Sequence, residues 1–367
     1  MHINIFDSGL INRTGHHFDF CFSFGKQLVR RGHTVSVWGG REAGAELPEA
    51  LASVGCRFEA LFTHLPITLE ESDVPTAGQI DNAARNTAAQ LRAGAVPHGL
   101  DFFPTLKPTE FLAYSHVERA GSMVGIVHAP PGLHSVHSSN IWANACANVQ
   151  QRGLRVKLGV LEPMLADFLR TYSDRLPIDI APFPLDSDSR QNHPARPQSI
   201  GFFGNQREER GLAVIAPLVQ RLLAAGYRVA VHDTRGQFNA DGDNPNLRVL
   251  SGFLPDLGAV MAQCDIIVCP VSWANYALRP SGIVAMSLAC GVPCIAAAGT
   301  LSAATYYEHG SIVCYHDLGV DAIMQAILRM AQDYPRIAGC AREAAQFWRA
   351  THGVDKAIDW LLGPHPA

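Results

Sequence analysis

The sequence has no hydrophobic run that approaches the roughly 20 apolar residues a membrane-spanning helix needs. The first 17 residues, MHINIFDSGLINRTGHH, have neither a cationic segment nor a long apolar one, so we expect no signal peptide. Charge is also scarce. Charged residues make up 17% of the 367, and the formal net charge is -4, which gives no electrostatic case for a nucleic-acid partner. These absences predict a cytoplasmic globular protein.

Paired cysteine spacings and dinucleotide-binding glycines are absent as well. The nine cysteines are scattered, and Cys290 and Cys294 flank a Gly-Val-Pro turn with no histidine nearby. We therefore expect reduced, buried thiols and no zinc site. Neither half of the chain has the G-x-G-x-x-G spacing in its first turn, which argues against a dinucleotide-dependent oxidoreductase.

What is present is a pair of strand and helix series. The first opens with a predicted strand at His2 to Phe6, a helix at Phe18 to Arg31 and a strand at Thr34 to Trp38. Five prolines then fall within residues 177–197, in a polar, turn-rich stretch typical of an interdomain linker. A second series begins with a strand at Ser199 to Phe203. The pattern predicts an α/β protein with two Rossmann-like domains joined by a proline-rich hinge.

The segment GFFGNQREERG, residues 201–211, follows a predicted strand and opens a predicted helix. Backbone amides at a helix start, together with the guanidinium groups of Arg207 and Arg210, are suited to binding a diphosphate. The alternative is a solvated first turn in which the two arginines pair with Glu208 and Glu209. The sequence leaves both interpretations open.

Further along, SGIVAMSLACGVPCIA at residues 281–296 predicts a small-residue helix, which Gly291 and Pro293 should end, followed by an apolar strand. Together with residues 201–211, this segment resembles the C-terminal half of the group 1 glycosyltransferases, the retaining GT-B enzymes related to sucrose synthase and glycogen synthase. A looser resemblance in the first half rests on LVRRGHTV, residues 28–35, and VGIVH, residues 124–128.

The resemblance implies a GT-B fold, with two Rossmann-like domains facing across a cleft. Residues 1–185 would form the acceptor domain, residues 186–350 the donor domain, and residues 351–367 a C-terminal helix that returns toward the first domain. The implied activity is transfer of a sugar from a nucleotide-diphosphate sugar to a glycan, lipid-linked or small-molecule acceptor. Transfer is expected to proceed with retention and without a metal or other cofactor. Peripheral contact with the inner face of the membrane is left open.

Ten residues are expected to carry this activity. In the related enzymes the histidine that ends the VGIVH strand contacts the transferred sugar. The expected catalytic residues are His128, Arg207 and Arg210, and the expected donor-binding residues are Gly15, His16, Gly204, Asn205, Tyr276, Ser281 and Gly282.

The chain departs from the family at its Glu-x7-Glu motif, because Leu278 and Met286 stand at the two glutamate positions. A thioether cannot accept the ribose hydroxyl hydrogen bonds of a carboxylate. Ser281 and Gly282 could instead offer a hydroxyl and amides to a phosphate. The loss also favours an alternative, a non-catalytic or divergent GT-B protein that binds nucleotide or glycan. A GT-B sugar-nucleotide epimerase is a further alternative, although it usually needs cleft carboxylates.

Several histidines have competing interpretations. His16 and His17 could bind donor phosphate or acceptor, or could be exposed beside a helix that Thr14 caps. His134 and His137 have a spacing compatible with metal binding but no third ligand, which favours a mobile acceptor loop.

Overall fold

The computed structural model describes residues 1–13, 15–63, 76–119, 121–133, 135–173, 175–238, 244–252, 254 and 256–364. The chain forms two compact units. Unit 1 comprises Met1–Pro184 and the C-terminal residues from Val354, and unit 2 comprises Leu185–Gly353. Among the described residues, no helix is both long enough and apolar enough to span a bilayer.

Unit 1 contains a parallel sheet of seven strands in the order β3-β2-β1-β4-β5-β6-β7. The central strands are apolar runs buried on both faces, as helix-covered parallel strands must be. The strands are β1 His2–Phe6, β2 Thr34–Gly40, β3 Arg57–Phe62, β4 Leu100–Phe103, β5 Met123–Val127, β6 Val156–Val160 and β7 Ile178–Ile180.

The helices of unit 1 alternate with these strands. They are α1 Gly15–Arg30, α2 Glu46–Ala52, α3 Ala77–Ala93, α4 Pro108–Ser115, α5 Val136–Arg152 and α6 Pro163–Arg170, and the chain's last helix, α14 Val354–Leu362, also belongs to this unit.

Helix α5 corrects one sequence expectation, the mobile loop at His137. That histidine lies in the first turn of α5, and its Nε2 is 2.8 Å from Asp81 Oδ1 on α3. His134 lies outside the described residues.

Helix α14 is anchored to unit 1 by two basic residues. Arg31 at the end of α1 contacts Asp355 at 2.8 Å and Asp359 at 2.5 Å. Lys157 on β6 donates to the Trp360 carbonyl at 2.5 Å, and its ammonium lies 4.8 Å from the centroid of that indole ring. The C-terminal helix is therefore held by charge and by a cation–π contact as well as by its apolar face.

Unit 2 contains a parallel sheet of six strands in the order β10-β9-β8-β11-β12-β13. Its strands are β8 Ser199–Phe202, β9 Arg228–His232, β10 Leu247–Leu250, β11 Ile266–Cys269, β12 Cys294–Ala297 and β13 Ile312–Tyr315. Its helices are α7 Leu212–Ala224, α8 Leu257–Met261, α9 Trp273–Tyr276, α10 Gly282–Cys290, α11 Leu301–Tyr306, α12 Val320–Gln332 and α13 Tyr334–Thr351.

In both sheets the strand order reverses beside the first strand, between β1 and β4 in unit 1 and between β8 and β11 in unit 2. Ligands of such sheets bind outside the carboxyl ends of the strands at this reversal, where the adjacent loops turn away in opposite directions. The fold therefore predicts ligand-binding residues in the loops that follow β1 and β4, and in those that follow β8 and β11.

The predicted proline-rich hinge is divided between the units. Residues Ile178–Ile180 form β7 of unit 1, whereas the segment before β8 is pinned to unit 2 by Asp265. The carboxylate of Asp265 is 2.7 Å from Arg190 Nη2 and accepts hydrogen bonds from the amides of Gln198 and Ser199, both at 2.8 Å. Buried polar partners thus fix part of a segment whose composition predicts a flexible linker.

Candidate functional site

The turn after β8 in unit 2 brings its backbone close to the start of α10. Gly204 has a φ of +94°, and a Cβ at this position would lie 2.9 Å from Arg210 Nη1 and 3.2 Å from Ile283 Cγ1. Only glycine accommodates both this backbone conformation and this close approach. The turn predicted to bind a diphosphate therefore does lie beside the first turn of α10.

Arg210 is positioned by Tyr276, which is 1% exposed. The Arg210 Nε donates a 2.8 Å hydrogen bond to the Tyr276 hydroxyl, and the guanidinium lies 5.8 Å from the ring centroid. Arg207 has a loose contact, 3.8 Å from Nη1 to Glu209 Oε1. The alternative in which both arginines pair with neighbouring glutamates therefore describes Arg207 alone.

A third guanidinium, that of Arg279, lies 5.1 Å from the centroid of the same Tyr276 ring. Burial lowers the pKa of Arg279, and the nearby charges of Arg210 and Arg207 lower it further. Arg279 is not among the site residues expected from the sequence. The sequence indicates it only by an arginine two positions before Ser281, the residue that caps α10.

Gln206 is a buried amide without hydrogen-bond partners. Its side chain is 3% exposed and lines a small pocket with Asn205, Arg210 and Ile283. Within the described part of the chain, neither its Nε2 nor its Oε1 has a hydrogen-bond partner. An unpaired buried polar group costs about 1–3 kcal/mol, so this side chain indicates a place where a polar ligand or water completes the structure.

Replacing Gln206 by methionine, which has a similar shape, should separate stability from binding. We expect the free energy of unfolding to rise by about 1 kcal/mol, because the buried amide is no longer left unpaired. Affinity for a phosphate-bearing ligand should fall, because the amide can no longer hydrogen-bond. Chemical denaturation and calorimetry with uridine diphosphate measure the two effects. A loss of stability would show that the amide has partners in the free protein.

The N-terminus of α10 is organised by Ser281. Its Oγ accepts from the Val284 amide at 3.4 Å, and its own amide donates to Ser302 Oγ at 2.7 Å. Ser281 is 6% exposed, so its hydroxyl serves mainly as the helix cap. The amides of Gly282 and Ile283 lie in the first turn, where no preceding intrahelical carbonyl can accept from them. These amides, more than the Ser281 hydroxyl, are suited to an anion.

The remaining predicted site residue of unit 2, Asn205, is less enclosed than most of the others. Asn205 is exposed, and its Oδ1 accepts from Thr234 Oγ1 at 3.1 Å. The sulfur of Met286 lies 3.3 Å from the point where a Cβ on Gly258 would stand, so its thioether packs against α8.

In unit 1, the predicted histidines do come together after β1 and β5. Gly15, with a φ of +74°, begins α1, and the neighbouring His16 ring lies 5.6 Å from the His128 ring. His128 Nε2 donates to the Pro104 carbonyl at 2.8 Å. Thr14, the expected cap, lies outside the described residues.

A histidine–aspartate pair that was not predicted from the sequence lies in the same place. Asp7 is fully buried, and His17 Nδ1 lies 2.8 Å and 2.9 Å from its two carboxylate oxygens. Burial raises the pKa of Asp7, but the contact with His17 and the amide of Gly9 outweigh it and hold that pKa below its ordinary value. With Nδ1–H donated to Asp7, Nε2 is the basic nitrogen of His17. The sequence feature that could have indicated this pair is an aspartate directly after the first strand, ten residues before a histidine.

Gly9 is needed for this pair. Its amide donates to Asp7 Oδ1 at 2.9 Å, and a Cβ on Gly9 would lie 2.5 Å from His17 Cε1. Nearby, Lys107 Nζ donates to Ser8 Oγ at 2.9 Å, and burial raises the pKa of Glu110. The edge of unit 1 is therefore built to hold charged groups. Among the described residues, no group of three or more His, Cys, Asp or Glu is arranged to hold a metal ion.

Comparison with known proteins gives one family match and many structural ones. Residues 197–333 match the family model described as glycosyl transferases group 1. No curated protein matches the chain significantly. The structure is similar to sucrose-phosphate synthase from Thermosynechococcus elongatus, at 12% identity and a TM-score of 0.70, over 98% of this chain and 97% of that one. It is also similar to Anabaena HepE in complex with UDP-glucose, at 14% identity and a TM-score of 0.67, over 98% of each chain.

A third similar structure is the glycotransferase of kitacinnamycin, with 16% identity and a TM-score of 0.63 over 99% of each chain. These likenesses confirm the predicted α/β, GT-B fold. The match over residues 197–333 confirms the predicted enzyme class. The chain has a GT-B fold, and its residues 197–333 match the domain described as glycosyl transferases group 1.

Proposed function

We propose that the chain transfers a sugar from a nucleotide-diphosphate sugar to a glycan, lipid-linked or small-molecule acceptor. The observation that carries this proposal is the arginine cluster at the carboxyl ends of β8 and β11, namely Arg207, Arg210 and Arg279. The carboxylate of Glu209 lies beside it, 3.8 Å from Arg207 Nη1. The amides of α10 and the unpartnered amide of Gln206 lie at the same edge and add hydrogen-bond donors.

The arginines suit the chemistry of the leaving group. As the bond between the sugar C1 and the phosphate oxygen breaks, its electron pair leaves with the diphosphate, whose negative charge grows. Fixed guanidinium groups stabilise that charge without reorganising during the reaction. In many enzymes that act on phosphate esters a divalent metal ion supplies such positive charge. We propose that the arginines supply it here and that transfer needs no metal ion.

A uridine nucleotide is the first donor to test. Anabaena HepE, which shares the fold, is described in complex with UDP and with UDP-glucose. In this chain Leu278 and Met286 stand where the resembled family has its two glutamates, and Met286 packs on α8. We therefore propose that the ribose is held with few hydrogen bonds from carboxylates.

The acceptor is proposed to bind unit 1, near the His16 and His128 rings. Retention of the anomeric configuration is proposed on the resemblance to the retaining enzymes. The His17–Asp7 pair favours a second candidate, direct displacement with inversion. In that reaction His17 Nε2 takes the proton of the acceptor hydroxyl while the acceptor oxygen bonds to C1 and the diphosphate departs.

Calorimetry with uridine and thymidine diphosphates tests the donor proposal. Both should bind, with dissociation constants within about tenfold of each other, because no buried acceptor is left unpaired when the 2′-hydroxyl is missing. A much larger preference for the ribonucleotide would show that a carboxylate does hold the ribose. Failure of every nucleoside diphosphate to bind would contradict the proposed function.

The reaction itself is tested by incubating the protein with UDP-sugars and an acceptor panel, with EDTA present. The anomeric configuration of the product, read by NMR, separates the two mechanisms. An α-linked product from an α-linked donor supports retention, and a β-linked product supports His17 as the base. Binding without any turnover across the panel would favour the non-catalytic alternative.

A further inference from the structure

We infer that Arg279 is a third ligand of the donor diphosphate, held in place by Tyr276, and that the site recognises its donor chiefly by the charge of both phosphates. This inference rests on the proposed function and names a residue beyond the arginine pair at positions 207 and 210. Arg279 follows the short helix α9 and precedes α10, so it belongs to the loop after β11. Arg210 comes instead from the turn after β8.

Tyr276 joins these two loops. Its ring is buried, its hydroxyl accepts from Arg210 Nε at 2.8 Å, and Arg210 and Arg279 lie 5.8 Å and 5.1 Å from its centroid. Because the ring is buried and hydrogen-bonded to Arg210, it holds that guanidinium and offers an aromatic surface to Arg279. An arginine that already packs on an aromatic ring loses less side-chain conformational entropy when it binds a ligand.

The cluster has more positive charge than the free protein neutralises. The three guanidinium groups and the neighbouring carboxylate of Glu209 together carry a net charge of about +2 at neutral pH. Among the described residues, Arg279 forms no ion pair and no side-chain hydrogen bond, and its aromatic contact is with Tyr276. The lowered pKa of Arg279 agrees with a partly buried cation that lies beside the positive charges of Arg210 and Arg207.

A nucleotide-sugar supplies the missing charge, since each of its two phosphates carries one negative charge. Arginine forms paired, charge-assisted hydrogen bonds to phosphate oxygens, and such bonds strengthen where water is excluded. Arg279 lies directly before the first-turn amides of α10, so guanidinium and amides can reach the same anion. Arg279 thus recognises phosphate. It lies next to Leu278, where the resembled family has a glutamate that would recognise hydroxyl groups.

The test compares Arg279→Gln, Arg279→Lys and the matched control Arg228→Gln. Arg228 lies at the start of β9 in the same unit and is exposed. Calorimetry should show that R279Q lowers uridine diphosphate affinity at least about tenfold, the loss of one charged hydrogen-bonding group. The loss for uridine monophosphate should be smaller, R279K should fall between R279Q and wild type, and R228Q should match wild type.

The melting temperature of the free protein distinguishes ligand binding from a structural role. If Arg279 serves the ligand, R279Q should melt no lower than wild type, because a partly buried cation beside two other guanidinium groups is removed. A lower melting temperature with equal losses for both nucleotides would overturn the inference in favour of a structural role. Unchanged affinity in R279Q, with wild type binding, overturns the Arg279 inference alone. Absence of binding by wild type instead overturns the proposed function.

Discussion

Replacing both Arg207 and Arg210 by alanine should remove most of the affinity for nucleoside diphosphates. Each guanidinium is proposed to make charged hydrogen bonds worth about 1.5–3 kcal/mol, so the pair accounts for a loss of roughly two to four orders of magnitude. Calorimetry with uridine diphosphate measures it. The melting temperature of the free protein should fall by only a few degrees, because the 3.8 Å contact of Arg207 with Glu209 contributes little stability and the Arg210–Tyr276 hydrogen bond about 1 kcal/mol.

The single variants refine this prediction. Arg207→Ala should leave the melting temperature unchanged, whereas Arg210→Ala also removes the hydrogen bond to the buried Tyr276 hydroxyl and should cost about 1 kcal/mol of stability. Undiminished uridine diphosphate affinity in the double variant would rule out the turn after β8 as the diphosphate site. The Arg228→Gln variant is the control for a general loss of positive charge.

Replacing Arg190 by alanine should have the largest effect on stability. Arg190 Nη2 lies 2.7 Å from the carboxylate of Asp265, whose side chain is 2% exposed. Removing the arginine leaves a buried carboxylate without its counter-charge, which costs about 3–5 kcal/mol. We expect a loss near the lower end of that range, because the amides of Gln198 and Ser199 still donate to the other carboxylate oxygen.

Guanidinium denaturation of wild type, Arg190→Ala and the exposed control Arg228→Ala measures this loss. The double variant Arg190→Ala, Asp265→Asn removes the unpaired charge and should recover part of the stability. A loss in Arg190→Ala no greater than in the control would show that the segment before β8 is not held by this ion pair.

Much of the fold follows from local patterns in the sequence. The apolar runs that form β5 and β6, and the end of α10 at Gly291 with a φ of +68°, are visible in the sequence because backbone sterics and burial act on neighbouring residues. The predicted strand at residues 199–203 is likewise found within a residue of its predicted end, and the expected C-terminal helix in residues 351–367 is found as α14. Elements with weak periodicity, such as α2 and α5, were not predicted.

The sequence by itself therefore determined the α/β alternation, the two-part organisation and the glycine turn with its arginines after β8. Only the tertiary structure decided which side chains meet. Arg210 pairs with Tyr276, 66 positions away, and not with the adjacent glutamates. Arg279 joins that pair because β8 and β11 are neighbours in the sheet although α7, β9, β10 and α8 separate them in the chain. The physical reason is that the local sequence pattern determines backbone conformation. Contacts between charged side chains depend instead on the distances and the burial that arise once the sheet has assembled.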